Sequence, residues 1–265
     1  MLSVIVPVYN ECASVEAALR RVAAVPIEKE IIVVDDGSTD GSREILDRLA
    51  FELPIQVLRH PKNLGKGAAI RTGIAASTAQ IVLLQDADLE YDPTDYAALL
   101  APVLKGEADV VMGSRFLRQR PHFFTAPSDL FFTHYIGNRL IIWLTNLLYG
   151  FRATDYEACY KVFTRRVFEE ACVGAAGFEF DNELICKGLR RGRRVVEVPV
   201  CYTPRTYREG KKIRPRDGLR MLWTIIKWRV KRLPQSGPRL DGSERVTVPA
   251  EVARGRIRER DYSRL

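Results

Sequence analysis

In the first half of the chain, apolar residues fall in short continuous blocks, and each of the first three blocks is followed by a helical stripe. Leu2–Val8 is an almost unbroken apolar run, as expected of a strand covered on both faces; it breaks at Pro7 and runs into Tyr9-Asn10-Glu11. Val15, Ala18, Leu19 and Val22 then share one helical face. Residues 30–34 form a second buried block, and the loop Asp35-Asp36-Gly37-Ser38-Thr39-Asp40-Gly41-Ser42 after it is full of turn formers and helix caps. A helix is expected from 43 to 49, a strand over Ile55–Arg59, and a helix over 68–76 after Asn63-Leu64-Gly65-Lys66-Gly67. Ile81–Leu84 is a fourth strand. This alternation with short loops predicts an α/β fold with a mostly parallel, mixed sheet flanked by helices.

The second half is less regular. Residues 108–113 predict a strand ending in Gly113-Ser114-Arg115, whereas 118–127 have no period and predict a mobile loop. Over 134–149, Ile136, Leu140, Trp143, Leu144, Leu147 and Leu148 share a helical face, expected to rest on the core, with contact to a lipid as the alternative. A helix opens near Gly177-Phe178-Glu179-Phe180-Asp181-Asn182-Glu183-Leu184, with acids in its first turn, and 194–202 predict a last strand. Residues 217–233 predict a C-terminal amphipathic helix with Leu219, Leu222, Trp223, Ile226, Val230 and Leu233 in a stripe beside Arg220, Lys227, Lys231 and Arg232. Basic flanks with tryptophans suit a helix lying in a membrane interface; docking on the core is the alternative. Residues 234–265 are rich in Arg, Pro and Gly without period and predict a disordered tail. The expected organisation is therefore one α/β domain over 1–216, a basic helix over 217–233 that lies in an interface or docks on the core, and a tail over 234–265.

Composition changes this picture in two places. At 265 residues, 46% apolar and 28% charged, the chain has the make-up of an ordinary soluble protein. Its net charge of +8 is concentrated near the C-terminus, where residues 205–233 hold eleven Lys/Arg against two acids. Such a segment calls for an anionic partner: a phosphorylated substrate, an anionic lipid surface or nucleic acid. Few aromatics stand ready to stack bases, and the acidic centre would repel a phosphate backbone, so nucleic acid is not the expected partner. Five cysteines, an odd number with no C-x-x-C spacing, predict free thiols in a reducing compartment. Met1 leads straight into a strand, so no secretory signal is expected, and no apolar run approaches the roughly 20 residues that span a bilayer. The expected location is cytoplasmic, peripheral at the cytoplasmic face of the membrane.

The candidate chemistry starts at the fourth strand. Ile81–Leu84 runs into Gln85-Asp86-Ala87-Asp88-Leu89-Glu90, placing three carboxylates at the rim of a sheet, where ligands of open α/β sheets bind. Gathered carboxylates need positive charge, and the usual partner is a hard divalent cation, Mg²⁺ or Mn²⁺, bridging to substrate phosphates. Every polar loop so far follows the C-terminal end of a strand, a topology that permits Tyr9, Asp36, Lys66 and Asp88 to share one crevice. Lys66 between two glycines can bring a cation and bare backbone N–H groups to phosphate. It lacks the spacing of a P-loop, and no G-x-G-x-x-G follows the first strand.

Taken in order, Val6-Pro7-Val8-Tyr9-Asn10-Glu11, the loop 33–42, Asn63-Leu64-Gly65-Lys66-Gly67-Ala68-Ala69-Ile70-Arg71-Thr72-Gly73 and Asp86-Ala87-Asp88 resemble the family 2 glycosyltransferases with the GT-A (nucleotide-diphospho-sugar transferase) fold. Within that family the chain resembles the polyprenyl-phosphate glycosyltransferases of the dolichol-phosphate mannose synthase type, over about residues 1–230. The resemblance implies that Pro7, Tyr9, Glu11, Val34 and Asp36 hold base and ribose, and that Lys66 and Arg71 lie near the nucleotide or its phosphates. It implies that Asp86 and Asp88 face the sugar diphosphate and metal. Glu90 stands where many relatives carry Gln as a further metal contact, and a carboxylate suits a hard cation. Arg115 matches an Arg that helps hold phosphate, for which a guanidinium fork is well shaped. Asp155, in Ala153-Thr154-Asp155 before a strand, matches an active-site Asp that orients acceptor or sugar. Thr203-Pro204-Arg205-Thr206-Tyr207-Arg208-Glu209-Gly210-Lys211-Lys212 resembles the family's basic acceptor loop, with Arg205, Arg208, Lys211 and Lys212 as its cations. Glu179, Asp181 and Glu183 are further candidates, or simply helix-capping acids.

The implied activity is inverting transfer of a sugar from a nucleoside-diphosphate sugar, GDP-mannose or a UDP-sugar, to a polyprenyl phosphate. A membrane surface and a membrane-protein partner are the implied company. Two other readings stay open. One is a soluble transferase acting on a sugar, metabolite or protein hydroxyl, for which Asp155 is the first candidate base. The other is a non-catalytic nucleotide-sugar-binding module.

Overall fold

The structure, a computed structural model, describes residues 1–117, 129–205 and 215–235, with the side chains of 129–135 and 215 outside that description. The expected loop at 118–127, the cations Arg208, Lys211 and Lys212, and the tail from 236 onward lie outside the described residues.

The element order is β1 (Leu2–Val8), α1 (Val15–Ala24), β2 (Lys29–Asp35), α2 (Ser42–Glu52), β3 (Ile55–Arg59), α3 (Lys66–Ala76) and β4 (Ile81–Leu84). It continues with α4 (Tyr96–Leu104), β5 (Val110–Ser114), α5 (Asp129–Tyr149), β6 (Lys161–Thr164), α6 (Arg165–Ala171), α7 (Phe180–Arg190), β7 (Val195–Pro199) and α8 (Pro215–Val230). The strands form one seven-stranded sheet in the order β3-β2-β1-β4-β6-β5-β7. All neighbours run parallel except β6, which is antiparallel to both β4 and β5.

Side chains alternate across the strands, so the sheet feeds two cores. Ile5, Ile32 and Val34 face α3, α5, α6, α7 and α8 on one side. Val4, Val6, Ile31 and Val33 face α1, α2 and α4 on the other. Burial on both faces explains why these strands read as continuous apolar runs.

Helix α5 departs from expectation, whereas for α8 both an outward stripe and docking on the core were open readings. The apolar stripe of α5 was expected against the core, yet Ile136, Leu140, Trp143 and Leu147 are exposed. The helix docks instead through Ile141, Ile142 and Thr145, with Leu144 and Leu148 partly covered. Likewise α8 docks through Met221, Thr224, Ile225 and Trp228, and turns Leu219, Trp223, Ile226 and Val230 outward. Both helices are apolar on more than one face, so the stripe alone did not decide which face the core would take. Tyr149 Oη donates to the Ile225 carbonyl at 2.8 Å, tying the two helices together. No helix of the described residues is long and apolar enough to cross a membrane.

Candidate active site

Strand order reverses at β1, which lies between β2 and β4. The loops leaving β1 and β4 therefore open a crevice at the carboxyl edge of the sheet, where such folds bind ligands. One wall is the β1 loop stitched to the β2 loop. The Asn10 N–H donates to Ser38 Oγ at 3.0 Å, the Glu11 N–H to Ser42 Oγ at 2.8 Å, and the Cys12 N–H to Asp40 at 3.0 Å. Asn10 itself takes a left-handed backbone, φ 51°, tolerable for Asn, and its side chain accepts from the Thr39 N–H at 2.8 Å. These bonds fix the loops that carry Tyr9 and Glu11.

Three residues expected near the nucleotide have their side chains engaged with the chain itself. Val34 is 0% exposed and belongs to the core against α3. Asp36 is buried; its carboxylate accepts the N–H groups of Leu64 at 2.9 Å and Gly65 at 2.8 Å and lies 2.6 Å from His60 Nδ1. It shapes the loop before α3 from below. Arg71 donates to the Gly174 carbonyl at 3.1 Å. Pro7, Tyr9 and Glu11 keep partial exposure.

The loop before α3 is pressed against the segment 174–177. A Cβ on Gly65, whose φ is +101°, would collide with the Ala176 carbonyl, and one on Gly67 would lie 2.6 Å from the Ala175 carbonyl. Only glycine permits this approach. It delivers Lys66, whose ammonium pairs with Asp86 at 2.7 Å. Glu183 holds the other side of the contact, accepting from the Gly174 and Ala175 N–H groups at 3.2 and 2.7 Å, and its ion pair with Lys187 at 2.5 Å is buried. Glu179 accepts from the Gly177 N–H at 3.2 Å. Two of the three candidate acids of α7 thus shape the backbone, and Asp181 alone is left without such a bond.

The carboxylate turn after β4 is set by a residue the sequence reading passed over. Gln85 is buried; Tyr96 and Tyr160 donate their hydroxyls to its Oε1 at 2.8 and 2.9 Å, and its Nε2 donates to the Asp86 carbonyl at 2.8 Å. Its place beside the acidic motif was the only signal, since Tyr160 lies 75 positions away and nothing local marks Tyr96 as its partner. Leu89 takes φ 63°, a costly backbone for a non-glycine residue, and so presents Asp88 and Glu90 on either side of a tight turn.

Arg205 reaches across this turn. Its guanidinium donates to Glu11 at 2.9 and 3.3 Å and to Asp88 at 2.7 Å, and its backbone N–H donates to Glu90 at 2.8 Å. The chain is guided there by Tyr202, which bridges to Tyr91, and by the Thr203 N–H on the Glu90 carbonyl at 2.8 Å. Arg205, a candidate for the acceptor side, here links the β1 loop to the acidic turn.

The charges do not balance evenly. Burial alone would raise Asp86, but Lys66 more than offsets this and holds it below the usual carboxylate range. Asp88 goes the other way, pushed up to about 7 by burial and by Asp86 and Glu90, against the pull of Arg205. A carboxylate left short of positive charge, on a turn of hard oxygen donors, fits Mg²⁺ or Mn²⁺ in chemistry. In arrangement the three acids are apart: among the described residues no three His, Cys, Asp or Glu converge on a metal position. Lys66 draws Asp86 one way while Arg205 draws Asp88 and Glu90 another, so a cation held by all three requires Arg205 to let go.

At the end of β5, Arg115 and Asp155 form a bidentate pair, Nε to Oδ2 at 2.7 Å and Nη2 to Oδ1 at 2.8 Å, with the Arg115 N–H adding a bond at 3.1 Å. Asp155 is 0% exposed, and Arg115 holds it below its usual range despite burial. Glu197 fixes the segment from behind, accepting from the Thr154 and Asp155 N–H groups, each at 2.8 Å. Asp155 is thereby a positioning residue for Arg115, whose guanidinium lies 5.4 and 5.2 Å from the ring centres of Phe116 and Tyr202. Both carboxylate oxygens of Asp155, the candidate base of the hydroxyl-acceptor reading, are engaged by Arg115.

A parallel-rich sheet with an acidic turn at its switch point is the GT-A arrangement of nucleotide-sugar-dependent transferases. A profile described as "Glycosyl transferase family 2" matches residues 3–171, and the chain belongs to that family of glycosyltransferases. An undecaprenyl-phosphate mannosyltransferase of Micrococcus luteus is 28% identical over 218 residues, which cover 78% of this chain and 85% of that protein. A dolichol-phosphate mannosyltransferase of Pyrococcus furiosus is 28% identical over 234 residues, covering 86% of this chain but only 64% of its own length. Glucosyl-3-phosphoglycerate synthase of Mycobacterium tuberculosis, solved with Mn²⁺, UDP-glucose and phosphoglyceric acid, superposes with a TM-score of 0.66 at 20% identity, covering 89% of this chain and 81% of that one. Another structure of that synthase holds Mg²⁺ and UDP.

Proposed function

We propose that the protein transfers a hexose, with inversion, from a nucleoside-diphosphate sugar to a polyprenyl phosphate at a membrane surface. A phosphate oxygen of the acceptor bonds to the anomeric carbon as the bond to the leaving diphosphate breaks, and the nucleoside diphosphate departs. The two polyprenyl-phosphate mannosyltransferases among its relatives support this acceptor class.

The single observation that carries the reading is the pair of outward stripes on α5 and α8. Ile136, Leu140, Trp143 and Leu147 repeat at the same spacing as Leu219, Trp223, Ile226 and Val230, and Trp143 and Trp223 are 58% and 65% exposed. Arg216, Arg220, Arg229 and Lys231 are exposed on and just after α8. Large apolar side chains with a cationic border suit the interface of an anionic bilayer.

We assign the roles as follows. Tyr9 and Glu11 form the nucleotide wall, with Asp36 and Val34 supporting it from within. Lys66 lies toward the diphosphate. Asp88, with Asp86 and Glu90, would hold a divalent ion, which when bound supplies Lewis-acid neutralisation of the leaving group. Arg115, aimed by Asp155, takes the acceptor phosphate; Arg205 joins it after releasing the acidic turn, and Arg208, Lys211 and Lys212 complete the cationic loop. The acceptor phosphate is already anionic, so the chain needs no strong general base.

The test offers a panel of nucleotide sugars with Mg²⁺ or Mn²⁺, with and without a short polyprenyl phosphate, and follows nucleoside diphosphate release. Release that depends on the lipid phosphate is expected; metal-dependent release indifferent to it would overturn the acceptor. Flotation with anionic liposomes should be lost in Trp143→Glu/Trp223→Glu.

A further inference from the structure

A buried polar cluster beside the Lys66–Asp86 pair has no part in the roles above. It is built from two segments far apart in the chain: the turn before β6, which carries Glu157, and the first turn of α7, which carries Asp181 and Asn182. Asn182 Nδ2 donates to Glu157 Oε1 at 2.8 Å. Asn182 is only 2% exposed and Asp181 8%, yet among the described residues Asn182 Oδ1 and Asp181 Oδ1 are buried and accept no hydrogen bond. Lys161, fully buried at the start of β6, spends its ammonium on the Ala158 carbonyl.

The cluster lies against the donor site. Burial pushes Asp181 up, and the charges felt there are those of Lys161, Lys66 and Asp86. The segment leading into α7 is the one packed on Gly65 and Gly67, with the Ala68 N–H on the Ala176 carbonyl at 3.1 Å. Lys66 also lies 5.9 Å from the Phe178 ring centre. Glu157, in contrast to its neighbours, keeps partial exposure.

A buried acceptor without a donor keeps its full desolvation penalty, so two in neighbouring residues need a reason. A ligand that brings O–H donors supplies one. It must also be short of negative charge, because Glu157, Asp181 and Asp86 already crowd the same edge.

We infer that Glu157 and Asn182, with Asp181 beside them, read the hydroxyl groups of the transferred sugar and select a neutral hexose over a uronate. This rests on the transferase reading above. The hexose hydroxyls donate to Asn182 Oδ1 and the carboxylates, whereas a uronate would set a third carboxylate against Glu157 and Asp181. Glu157 and Asn182 are specificity residues in this account; no bond is made or broken through them.

The test uses the full chain and isothermal titration with UDP, GDP, UDP-glucose, GDP-mannose and UDP-glucuronate in the presence of Mn²⁺. In Asn182→Ala and the isosteric Glu157→Gln, affinity for the free nucleoside diphosphate should stay within about twofold of wild type. Affinity for the neutral sugar nucleotide should fall about fivefold in Asn182→Ala, the effect of losing a neutral hydrogen bond, and about tenfold in Glu157→Gln, where a charged acceptor becomes neutral. Glu157→Gln should also narrow the preference for the neutral sugar over the uronate by about tenfold. Thermal unfolding separates a folded variant from a collapsed one, and the isosteric change keeps the test open if Asn182→Ala does not fold. Equal losses for nucleoside diphosphate and sugar nucleotide, or none for either, would overturn the inference and leave the transferase reading standing. Wild-type protein that binds no nucleotide at all would overturn both.

Discussion

Two carboxylates sit deep at the carboxyl edge of the same sheet, Asp88 after β4 and Asp155 before β6, and the chain treats them in opposite ways. Asp155 receives a bidentate Arg115 and the N–H groups of Arg115 and Glu157, and stays ionised below its usual range. Asp88 receives one arm of an Arg205 shared with Glu11 and the Glu90 N–H, stands beside Asp86 and Glu90, and is pushed up to about 7. A buried charge that is fully paired is part of the scaffold; one left under-compensated is poised for a partner from outside.

The largest expected difference between the two is in turnover. Asp88→Asn should lower nucleoside diphosphate release by about 10³-fold, as for loss of a group that meets transition-state charge, with the fold intact. Removing an under-compensated charge should also leave its melting temperature at or above wild type at pH 8. Near-normal turnover would cancel the role given to Asp88.

Asp155→Asn attacks the other side of the contrast. It leaves Arg115 buried without its counter-ion and should cost about 3–5 kcal/mol in urea unfolding. A loss as small as that of a surface substitution would mean that the pair is not a structural unit.

Glu157 sharpens the comparison through pH. Burial pushes it up to about 7, with Asp181 adding to the rise and the Asn182 amide opposing it. Its folded value lies above its unfolded one, so the native state holds the proton longer. Stability should therefore fall as pH rises from about 4.5 to 7, by on the order of 3 kcal/mol at most. Glu157→Gln should flatten that part of a denaturation series taken against pH, and an unchanged slope would assign it elsewhere.

The smallest effect concerns Arg205. Replacing its charge in Arg205→Gln should raise Mn²⁺ affinity without nucleotide about fivefold, the worth of one unit charge near 4 Å in a solvated setting. Weaker Mn²⁺ binding would show that Arg205 supports the cation site instead of competing for it.

Much of the donor half was legible because β1 to β4 are buried on both faces and their loops carry short-range chemistry. The blocks read as strands, and their order placed Tyr9, Lys66 and Asp88 at one edge. The short helix α6 and the nearly all-apolar α4, interrupted by Pro102, offered no helical period to read. The outward stripes of α5 and α8 were visible as stripes, but the facing partner that decides burial is a tertiary fact. The destinations of side chains were hardest: Arg205 meets Glu11 across 194 positions, and Gln85 meets Tyr160 across 75, contacts that no local pattern announces. Asp36 and Val34 were expected to hold base and ribose; the Asp36 carboxylate accepts the Leu64 and Gly65 N–H groups, and Val34 packs in the core.

The contrast between Asp88 and Asp155 is tested most directly by an electron paramagnetic resonance titration of Mn²⁺ into wild type and Asp88→Asn, each with UDP or GDP present. One nucleotide-dependent Mn²⁺ per chain in wild type, lost in Asp88→Asn, is the predicted result. Equal Mn²⁺ binding by the two proteins would contradict the account, because the under-compensated carboxylate would then have no part in holding the cation.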